Sequence, residues 1–472
     1  MYPTSILRRF FSLTCLFLSS LFSMQGAFAN SKPVEVIIIG AGVSGIIAAN
    51  QLNQQGIHAI ILEARDRIGG RVYTIQPWGT ATDLGASWIH KINNNPLSAL
   101  AIKYNIPILP TEYSHESPVS MLESATIFDA NGKKFSQKRF GIALEQIKKF
   151  ITYLDDHASS FSNNYSITDA LQDYMKINPM NQDSLDLLVH INGDSGEYEN
   201  GANIANTSYK VANDTQSVTS GADVIFTHGY SQLLSKLTQD IPIFLNQVVT
   251  KIVYDKEGVT VYTKDNKQYK AKYLLSTLPL GVLKANTIEF SPTLPKDKLA
   301  AIQRIGMGVY NKAFLLFDKP FWDLKAEWLV FLSKKEDSHE DFEVMNYYPR
   351  SKQPILLVFT TGDFASELEK HSDKDIVDLI MKRLKTTYGN KIPNPTSYQI
   401  THWGTDPYAK GSFSYPRIGS SVEDYKILAA PVDNRIFFAG EATSSTDPST
   451  VTGAYLSGIR AANEIAKLYK KK

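Results

Sequence analysis

Cysteine is nearly absent from this chain of 472 residues, which contains a single copy, Cys15. That residue lies in an N-terminal segment that we expect to be removed. The mature chain would then have no disulfide, no cysteine-ligated metal and no thiol nucleophile. No Ser/His/Asp or paired-carboxylate arrangement stands out either, and we predict no metal site.

Net charge is also lacking, because 49 Lys and Arg residues face 47 Asp and Glu residues. Removal of Arg8 and Arg9 with the N-terminal segment would leave the two signs equal. A neutral chain gives no support to nucleic-acid binding through bulk charge, so we expect no nucleic-acid partner. The length predicts two or three domains at roughly 100–200 residues each.

Long apolar runs are limited to residues 10–22, and about 13 residues are too few for a bilayer span, which needs about 20. Arg8 and Arg9 precede this run and A-F-A at 27–29 follows it. Residues 1–29 therefore predict a cleaved secretory signal peptide, with an uncleaved membrane anchor as the alternative. Export without cysteines indicates a periplasmic or secreted protein of bacterial type, with no stable membrane insertion after cleavage.

The mature chain opens with the pattern of a nucleotide-binding β-α-β unit. Residues 34–39 are an almost continuous apolar run rich in β-branched residues, which predicts a strand buried on both faces. A helix-compatible stretch over 46–55 and a second buried strand over 58–62 follow. A G-x-G-x-x-G sequence joins the first strand to the helix.

The glycines of that sequence and the acid after the second strand each have a physical task. Gly40 permits the tight turn, Gly42 lets backbone approach a pyrophosphate, and Gly45 lets helix and strand pack closely. The helix N-terminus offers free N–H groups to the phosphates. Glu63 can accept both hydroxyls of an unphosphorylated ribose. Together they predict a dinucleotide site.

A second glycine pair, Gly69-Gly70, follows the acid within E-A-R-D-R-I-G-G-R-V at 63–72. Backbone there can lie against a cofactor, and Arg71 can neutralise a pyrophosphate, whereas a nicotinamide Rossmann unit needs no such extension. The segment resembles the flavin-containing amine oxidases, which include polyamine oxidases, monoamine oxidases and lysine-specific histone demethylases.

Further segments resemble this family in the family's own order, and they are closest to the polyamine oxidases. They are D-L-G-A-S-W-I-H at 83–90, L-N-Q-V-V-T-K-I at 245–252, L-P-L-G-V-L-K at 278–284, W-G-T-D-P-Y-A-K-G-S-F-S-Y at 403–415, F-A-G-E-A-T-S at 438–444 and T-V-T-G-A-Y-L-S-G at 450–458. The chain departs from the family at Lys91, where glycine is usual, and at Thr452, where histidine is frequent. Residues 115–225 match poorly.

The resemblance implies FAD as a non-covalent cofactor, because no cysteine remains for a covalent flavin link. Glu441 would meet the ribityl or phosphate region, Val249 would contact the cofactor through its backbone, and the helix start after Thr450 would face the flavin O2. The full set of implied cofactor residues is Gly40, Gly42, Gly45, Glu63, Arg65, Gly70, Arg71, Gly85, Ala86, Ser87, Trp88, Val249, Trp403, Gly440, Glu441, Thr450 and Val451.

Lys312 is the residue for which the resemblance implies a catalytic role. It lies in a segment similar to the one whose family lysine holds a water against flavin N5. A buried lysine with a lowered pKa can manage protons during imine hydrolysis or flavin reoxidation. Aromatic and acidic side chains suit a substrate with an apolar chain and cationic nitrogens. We expect substrate contacts from His90, Glu197, Glu199, Phe413 and Tyr455, with Asp194 as a further acid.

The motif positions predict an α/β protein whose Rossmann-like FAD-binding domain is built from discontinuous segments. We assign residues 30–115, 221–285 and 421–472 to this domain. A substrate domain of mixed sheet and helix (α+β) would take residues 116–220 and 286–420. Strands are expected near 313–317, 328–332 and 355–360, and helices near 144–154, 167–174 and 374–387. The polar stretch 200–220 predicts a surface loop or gate.

The implied reaction is FAD-dependent oxidation of a di- or polyamine by O2. A hydride would pass from the carbon beside a neutral amine nitrogen to flavin N5, the imine would hydrolyse to an aldehyde, and O2 would become H2O2. The alternatives are a monoamine oxidase and an L-amino-acid oxidase, which needs an arginine such as Arg304 or Arg350 to clamp the carboxylate. A binding protein resembling the GDP-dissociation inhibitors is a remote alternative, and the secretory signal argues against a histone demethylase.

Overall fold

A computed structural model describes residues 34–111, 117, 119–191, 196–215, 217–333 and 341–470 of the chain. The expected signal peptide, Cys15 and Asp194 lie outside the described residues. Strands and helices are numbered here in chain order.

A five-stranded parallel sheet forms the centre of the nucleotide-binding part. Its strands, in spatial order, are β22 (Ile436–Phe438), β13 (Tyr273–Ser276), β1 (Val36–Ile39), β2 (Ala59–Leu62) and β9 (Ile243–Phe244). Val36 in β1 pairs with Tyr273 on one side and with Ala59 on the other. Every residue of β1 and β2 is buried, as the continuous apolar runs predict.

Sixteen helices of the described residues pack against this sheet and against the other parts of the fold. They are α1 (Val43–Gln54), α2 (Pro96–Lys103), α3 (Ser120–Ser124), α4 (Gln137–His157), α5 (Ile167–Met175), α6 (Gln182–Leu188), α7 (Glu197–Asn200), α8 (Tyr209–Asn213), α9 (Ser231–Leu237), α10 (Leu280–Lys284), α11 (Lys296–Arg304), α12 (Tyr348–Ser351), α13 (Gly362–Leu368), α14 (Asp373–Tyr388), α15 (Val422–Ala429) and α16 (Val451–Tyr469). Short 3-10 turns lie at Ala158–Ser160, Ile204–Asn206 and Glu441–Thr443.

The two faces of the parallel sheet pack against different elements, because successive side chains of a strand point in opposite directions. Val36 and Ile38 pack in one core with α1 and α16, which lie against each other. Ile37 and Ile39 belong to a second core that includes a four-stranded sheet. The strands of that sheet are β12 (Gln268–Ala271), β11 (Val259–Thr263), β10 (Val249–Tyr254) and β14 (Glu289–Ser291).

A six-stranded, mainly antiparallel sheet lies in the other half of the molecule. Its strands, in spatial order, are β20 (Ser397–Ile400), β16 (Tyr310–Leu316), β19 (Ile355–Thr361), β18 (Phe342–Asn346), β17 (Trp328–Phe331) and β7 (Ala125–Phe128). One face packs Phe314 and Phe359 against α4 and α5, and the other packs Leu315 and Val358 against α14. Only the pair β17–β7 is parallel within this sheet.

Three small sheets connect the two halves. They consist of β3 (Thr74–Ile75) with β4 (Thr82–Asp83), of β5 (Trp88–Ile89) and β6 (Ile108–Pro110) on either side of β8 (Val224–Phe226), and of β15 (Gly306–Gly308) with β21 (Phe413–Tyr415). The predicted α/β class is confirmed. The parallel sheet draws its strands from three separated parts of the chain, while the assignment of chain segments to domains stays a prediction.

The structure lengthens several predicted elements. Helix α1 begins three residues before the expected start, because Gly42 is already its N-cap. The strand expected at 313–317 begins at Tyr310, and the helix expected at 144–154 is the middle of α4. Apolar patterning locates the buried part of an element, whereas its ends depend on caps and on neighbouring strands.

The prediction of a surface loop over 200–220 is wrong. Thr207 and Ser208 are fully buried, and Tyr209 and Val211 pack into the molecule from α8. The hydroxyl of Ser208 caps this helix. Polar residues there satisfy backbone groups rather than face solvent, which composition alone does not reveal. No helix within the described ranges is long and apolar enough to cross a membrane.

Candidate active site

The G-x-G-x-x-G segment forms the turn between β1 and α1 at one end of the site. Gly40 has a φ of +103°, which a side chain disfavours. A Cβ on Gly45 would lie 2.1 Å from the Gly40 carbonyl oxygen, so only glycine permits this approach of helix and turn. Gly45 therefore allows helix α1 to pack directly against the turn.

Glu63 is buried at the end of β2 beside this turn. Its Oε2 accepts the N–H of Ala41 at 2.7 Å and its Oε1 accepts the N–H of Arg65 at 2.8 Å. Each carboxylate oxygen keeps a further acceptor position. The two backbone donors hold the carboxylate in the orientation in which it can receive ribose hydroxyls.

A cavity of about 700 Å³ extends from this turn to the six-stranded sheet. Its walls contain every predicted cofactor residue except Gly45, and also Lys312, His90, Glu199 and Phe413. Segments that lie up to about 400 residues apart in the chain thus meet at one site, an arrangement that parallel strands ending at one edge produce.

The cavity fits an elongated anionic cofactor such as FAD. A Cβ built on Gly42 or on Gly440 would have no other protein atom within 4 Å, so both glycines leave open space at the wall. Helix α1 starts at Gly42 without a side-chain cap, and its first N–H groups suit a pyrophosphate. Helix α16 also begins at the cavity, with Thr450 as its N-cap.

Two arginines at the cavity are tied to carboxylates. Arg71 donates to Glu441 at 2.8 Å and to the carbonyl oxygen of Ser412 at 2.9 Å. Arg65 forms a two-bond pair with Asp406, at 2.6 and 2.9 Å. Glu441 also accepts the hydroxyl of Ser414 at 2.6 Å. These pairs join distant motifs and leave the guanidinium groups only part of their donor capacity.

Lys312 is buried in β16 and reaches the D-L-G-A-S segment at 83–87 across the cavity wall. Its Nζ donates to the carbonyl oxygens of Asp83 at 3.0 Å and Gly85 at 2.6 Å, and to Ser87 Oγ at 2.6 Å. Burial lowers the pKa of Lys312 to about 8, against the attraction of the Asp83 carboxylate. Lys312 is therefore a proton-exchanging group near neutral pH.

The Asp83 side chain lies in the same hydrogen-bonded network. It is buried and accepts the hydroxyl of Thr74 at 2.5 Å and the N–H of Tyr230 at 3.0 Å. Burial raises the pKa of Asp83 to about 6, and the two hydrogen bonds and Lys312 oppose that rise.

Aromatic rings line the part of the cavity between Lys312 and α7. Trp403 donates its indole N–H to the carbonyl oxygen of Leu84 at 3.1 Å, which fixes the ring plane. The rings of Phe413 and Tyr310 have centroids 5.9 Å apart, and Tyr198 meets Tyr310 edge-on at 6.2 Å. Trp88 stacks on His90 with centroids 6.4 Å apart. These walls exclude water and suit an alkyl chain or a cation.

A charged group of side chains lies beside the aromatic wall. His90 Nδ1 is 3.4 Å from Asp223 Oδ2, and burial of His90 is outweighed by Asp223, so the pKa of His90 is raised. Burial raises the pKa of Glu199 to about 7, which His90 opposes. Lys91 lines the same region and adopts a left-handed φ of +56°. That conformation explains why glycine suits this position.

Two predicted substrate residues do not line the cavity. Glu197, at the start of α7, accepts the N–H of Ile204 at 3.0 Å and serves the local chain turn. Tyr455 packs against the core beneath α1 and α16, while Val451 and Ala454, on the same helix, reach the cavity. Ala454 and Tyr455 are adjacent on the helix, so their side chains point about 100° apart.

Several residues of the site were not singled out from the sequence, among them Tyr198 and Tyr310, which line the cavity, and Asp223, which is buried against His90. Asp223 and Tyr198 lie in or beside the poorly matching stretch, where no motif marks them. Tyr310 lies two positions before Lys312, and strand alternation places both side chains on one face of β16. This two-residue spacing from Lys312 is the sequence feature that could have identified Tyr310.

Comparison with known proteins extends the resemblance to the whole site. A family model described as flavin containing amine oxidoreductase matches residues 43–466. The chain belongs to this family of flavin-containing amine oxidoreductases. The chain is an FAD-dependent amine oxidase, and the expected non-covalent pocket for FAD agrees with the glycine turn, Glu63 and the two helix N-termini.

Individual relatives of this amine oxidase are of two kinds. Polyamine oxidase 4 of Oryza sativa subsp. japonica is 34% identical over 450 residues, covering 93% of this chain and 89% of the relative. Polyamine oxidase 2 of Arabidopsis thaliana is 33% identical over 452 residues, with 93% and 89% covered. Lysine-specific histone demethylase 1 homolog 2 of Oryza sativa subsp. japonica is 33% identical over 466 residues, but only 59% of it is covered. The predicted closeness to polyamine oxidases is confirmed.

Among the described residues, no group of three or more His, Cys, Asp or Glu side chains is arranged to hold a metal ion.

Proposed function

We propose that this enzyme oxidises a di- or polyamine at a carbon–nitrogen bond, giving an imine that hydrolyses to an aldehyde, with O2 reduced to H2O2. FAD, which the glycine turn, Glu63 and the N-termini of α1 and α16 would hold, would supply the two-electron acceptor for this oxidation and would pass the electrons on to O2. The observation that supports this proposal is the aromatic cavity wall of Tyr198, Tyr310 and Phe413 next to Lys312 and Glu199.

The walls of the cavity position and desolvate the amine. Trp403 and Phe413 hold an alkyl chain, and exclusion of water strengthens each electrostatic contact inside. Hydride removal needs a neutral reacting nitrogen, so the site must accept a proton from the arriving ammonium. Glu199, with a pKa raised to about 7 by burial, can take such a proton.

Lys312 exchanges a proton on the opposite side of this region. Its pKa of about 8 lets it give a proton and regain it within the working pH range. Its contacts with Gly85 and Ser87 also fix the segment that lines the cavity. We infer roles in imine hydrolysis and in the transfer of protons to reduced oxygen.

The alternative of an L-amino-acid oxidase has less support, because each arginine that lines the cavity among the described residues is already paired with an acid. Arg304 and Arg350 pair with Asp424 and Glu327, and neither lines the cavity. Among the described residues, the arginines that line it are Arg65 and Arg71, and both pair with acids. A bidentate carboxylate contact would require one of these pairs to break.

We also propose that the enzyme acts outside the cytoplasm, in the periplasm or the medium of a bacterium. The proposal rests on the arginine pair, apolar run and A-F-A sequence of residues 1–29. N-terminal sequencing of protein recovered from cell fractions tests it. An N-terminus at Asn30 in the exported fraction is expected, and uncleaved protein in the cytoplasm would contradict it.

A substrate panel tests the proposed reaction. Peroxide release is measured with spermine, spermidine, putrescine, phenethylamine and leucine, at low and high salt. We expect polyamines to be preferred at both salt concentrations, because salt screens a buried acid such as Glu199 only weakly. Preference for leucine or phenethylamine would contradict the substrate class.

A further inference from the structure

Asp447 is a buried acid on the cavity wall, in the loop between the 3-10 turn Glu441–Thr443 and α16. Only 6% of the residue is exposed. Its N–H donates to Ser444 Oγ at 3.2 Å, and its carbonyl oxygen accepts the hydroxyl of Thr450 at 2.9 Å. The loop thus holds the Asp447 backbone firmly beside the start of α16.

The carboxylate of Asp447 is only half satisfied. Oδ1 accepts the hydroxyl of Ser217 at 2.5 Å, whereas Oδ2 is buried without a hydrogen-bond partner among the described residues. No cation of the described chain forms an ion pair with it. A buried carboxylate oxygen without a donor costs free energy, which a bound ligand with a suitable donor would recover.

Glu63 and Glu441, two further acids of the cavity wall, differ in this respect. Glu63 receives two backbone N–H groups, and Glu441 receives Arg71 and the hydroxyl of Ser414. Each carboxylate oxygen of these two acids therefore accepts at least one hydrogen bond from the protein. Asp447 differs because its Oδ2 accepts no hydrogen bond from the described residues.

The chemistry of Asp447 limits what its ligand can be. A carboxylate only accepts hydrogen bonds, and a cationic N–H donor is its strongest partner. The same cavity carries the aromatic wall of Tyr198, Tyr310 and Phe413, which suits an alkyl chain. A ligand with an apolar chain and an ammonium group combines both properties.

We propose that Asp447 binds a protonated nitrogen of the substrate other than the nitrogen that is oxidised. This inference rests on the proposed oxidation of a di- or polyamine. The proposed function assigns the proton of the reacting nitrogen to Glu199, because that nitrogen must become neutral before hydride loss. A second, non-reacting nitrogen keeps its charge and can pair with another carboxylate. Asp447 is therefore a specificity residue that selects amines with two cationic centres over monoamines.

The Asp447→Asn variant tests this role in the FAD-loaded enzyme. Asparagine keeps the size and an acceptor for the Ser217 hydroxyl but removes the charge. Putrescine and butylamine share a four-carbon chain and differ in the second nitrogen, so their dissociation constants and rates of anaerobic flavin reduction are compared. We expect the dissociation constant of putrescine to rise at least about tenfold, which corresponds to about 1.4 kcal/mol, and that of butylamine to change less than about twofold.

Asp378→Asn is the matched control, because Asp378 is an exposed acid on α14 that pairs with Lys374 away from the cavity. It should preserve the putrescine-to-butylamine ratio. An equal loss for both amines in Asp447→Asn, or no loss for either, would overturn the inference. Loss of bound flavin with an unchanged amine ratio in the remaining holoenzyme would also overturn it, and would assign Asp447 to the cofactor.

The failure of the proposed function has a different signature. A wild-type enzyme that binds and oxidises neither amine would reject the proposed function, and this inference with it. A wild-type enzyme that oxidises both amines without preferring putrescine would reject the inference alone. If Asp447→Asn does not fold, Asp447→Ser also removes the charge and is measured by the same ratio.

Discussion

The ammonium of Lys312 donates to the backbone carbonyl oxygen of Gly85 over 2.6 Å, and this bond joins the six-stranded sheet to the D-L-G-A-S segment at 83–87. A Cβ on Gly85 would lie 1.9 Å from the carbonyl oxygen of Arg71, so the chain passes here without room for a side chain. The lysine thus links β16 to the segment 83–87, and both line the cavity.

Replacement of Lys312 by methionine should leave FAD bound but slow turnover by about a hundredfold, in the range of a lost proton-transfer group. Burial lowers the pKa of Lys312 from its ordinary 10.5 to about 8, so the wild-type side chain is protonated below and neutral above that pH. The rate profile of the variant should lose an ionisation near pH 8. Stopped-flow flavin reduction and reoxidation measure it, with exposed Lys296→Met as control; unchanged rates in both half-reactions would reject the role.

Replacement of Glu63 by alanine should remove most bound FAD while the fold is retained. The variant loses the carboxylate that orders the Ala41 and Arg65 N–H groups and that we expect to receive the ribose hydroxyls. Flavin absorbance per protein, together with circular dichroism, measures both properties. Glu63→Gln, which keeps an acceptor oxygen, should retain more flavin than Glu63→Ala. Full occupancy in the alanine variant would show that Glu63 does not hold the cofactor.

His190 should make stability depend on pH. Its Nδ1 is 3.1 Å from Glu343 Oε1 and its Nε2 is 3.4 Å from Asp341 Oδ2, in a fully buried position. Burial opposes the charge, but the two carboxylates outweigh it and raise the pKa of His190 to about 9. A folded-state pKa above the unfolded value of 6.5 stabilises fully below pH 6.5, and this contribution is lost as pH rises through 9.

The expected size of that effect is on the order of 3 kcal/mol in the free energy of unfolding between pH 6.5 and pH 9. Thermal or urea unfolding at several pH values measures it, and His190→Gln should remove most of the slope in this window. The ring of Tyr198 stacks on His190 with centroids 5.3 Å apart, so the variant should also weaken amine binding at the cavity wall. A wild-type stability that is flat over this window would contradict a charged His190.

Lys91 should be replaceable by glycine with a gain in stability of about 0.5–1 kcal/mol, because its φ of +56° is costly for a side chain and natural for glycine. Asparagine, which tolerates this conformation, should give an intermediate value. Removal of the lysine charge should also raise the pKa of Glu199, since Lys91 lowers it. Melting temperatures and the pH dependence of amine binding measure the two effects, and a loss of stability in Lys91→Gly would show that lysine contacts outweigh backbone strain.

Local patterns were sufficient for the cofactor half of the molecule. A continuous apolar run predicts a strand buried on both faces, three spaced glycines predict the turn, and an acid after the next strand predicts the ribose contact. Each of these requirements is met by residues within one β-α-β unit, at 34–63, so the sequence alone could specify them. Resemblance to the family then located Lys312, Trp403 and Glu441, which local pattern could not connect.

In the substrate half of the molecule, tertiary structure decided which residues line the cavity. Acids in the stretch 194–199 looked equivalent in the sequence, yet Glu199 lines the cavity while Glu197 serves the turn to Ile204. Tyr455 and Ala454 are neighbours in the chain but leave α16 in different directions. The surroundings of Asp447 depend on the contact between the loop before α16 and Ser217, which lies 230 positions earlier in the chain.

The sequence by itself determined the fold class, the family and the cofactor turn, because those depend on periodicity and on residues close together in the chain. Only the tertiary structure decided which acids and aromatics share the cavity and which pKa values shift. The physical reason is that burial and the distances between charges depend on how remote segments pack, and a carboxylate can bind a ligand only where that packing leaves an acceptor position on its oxygens free.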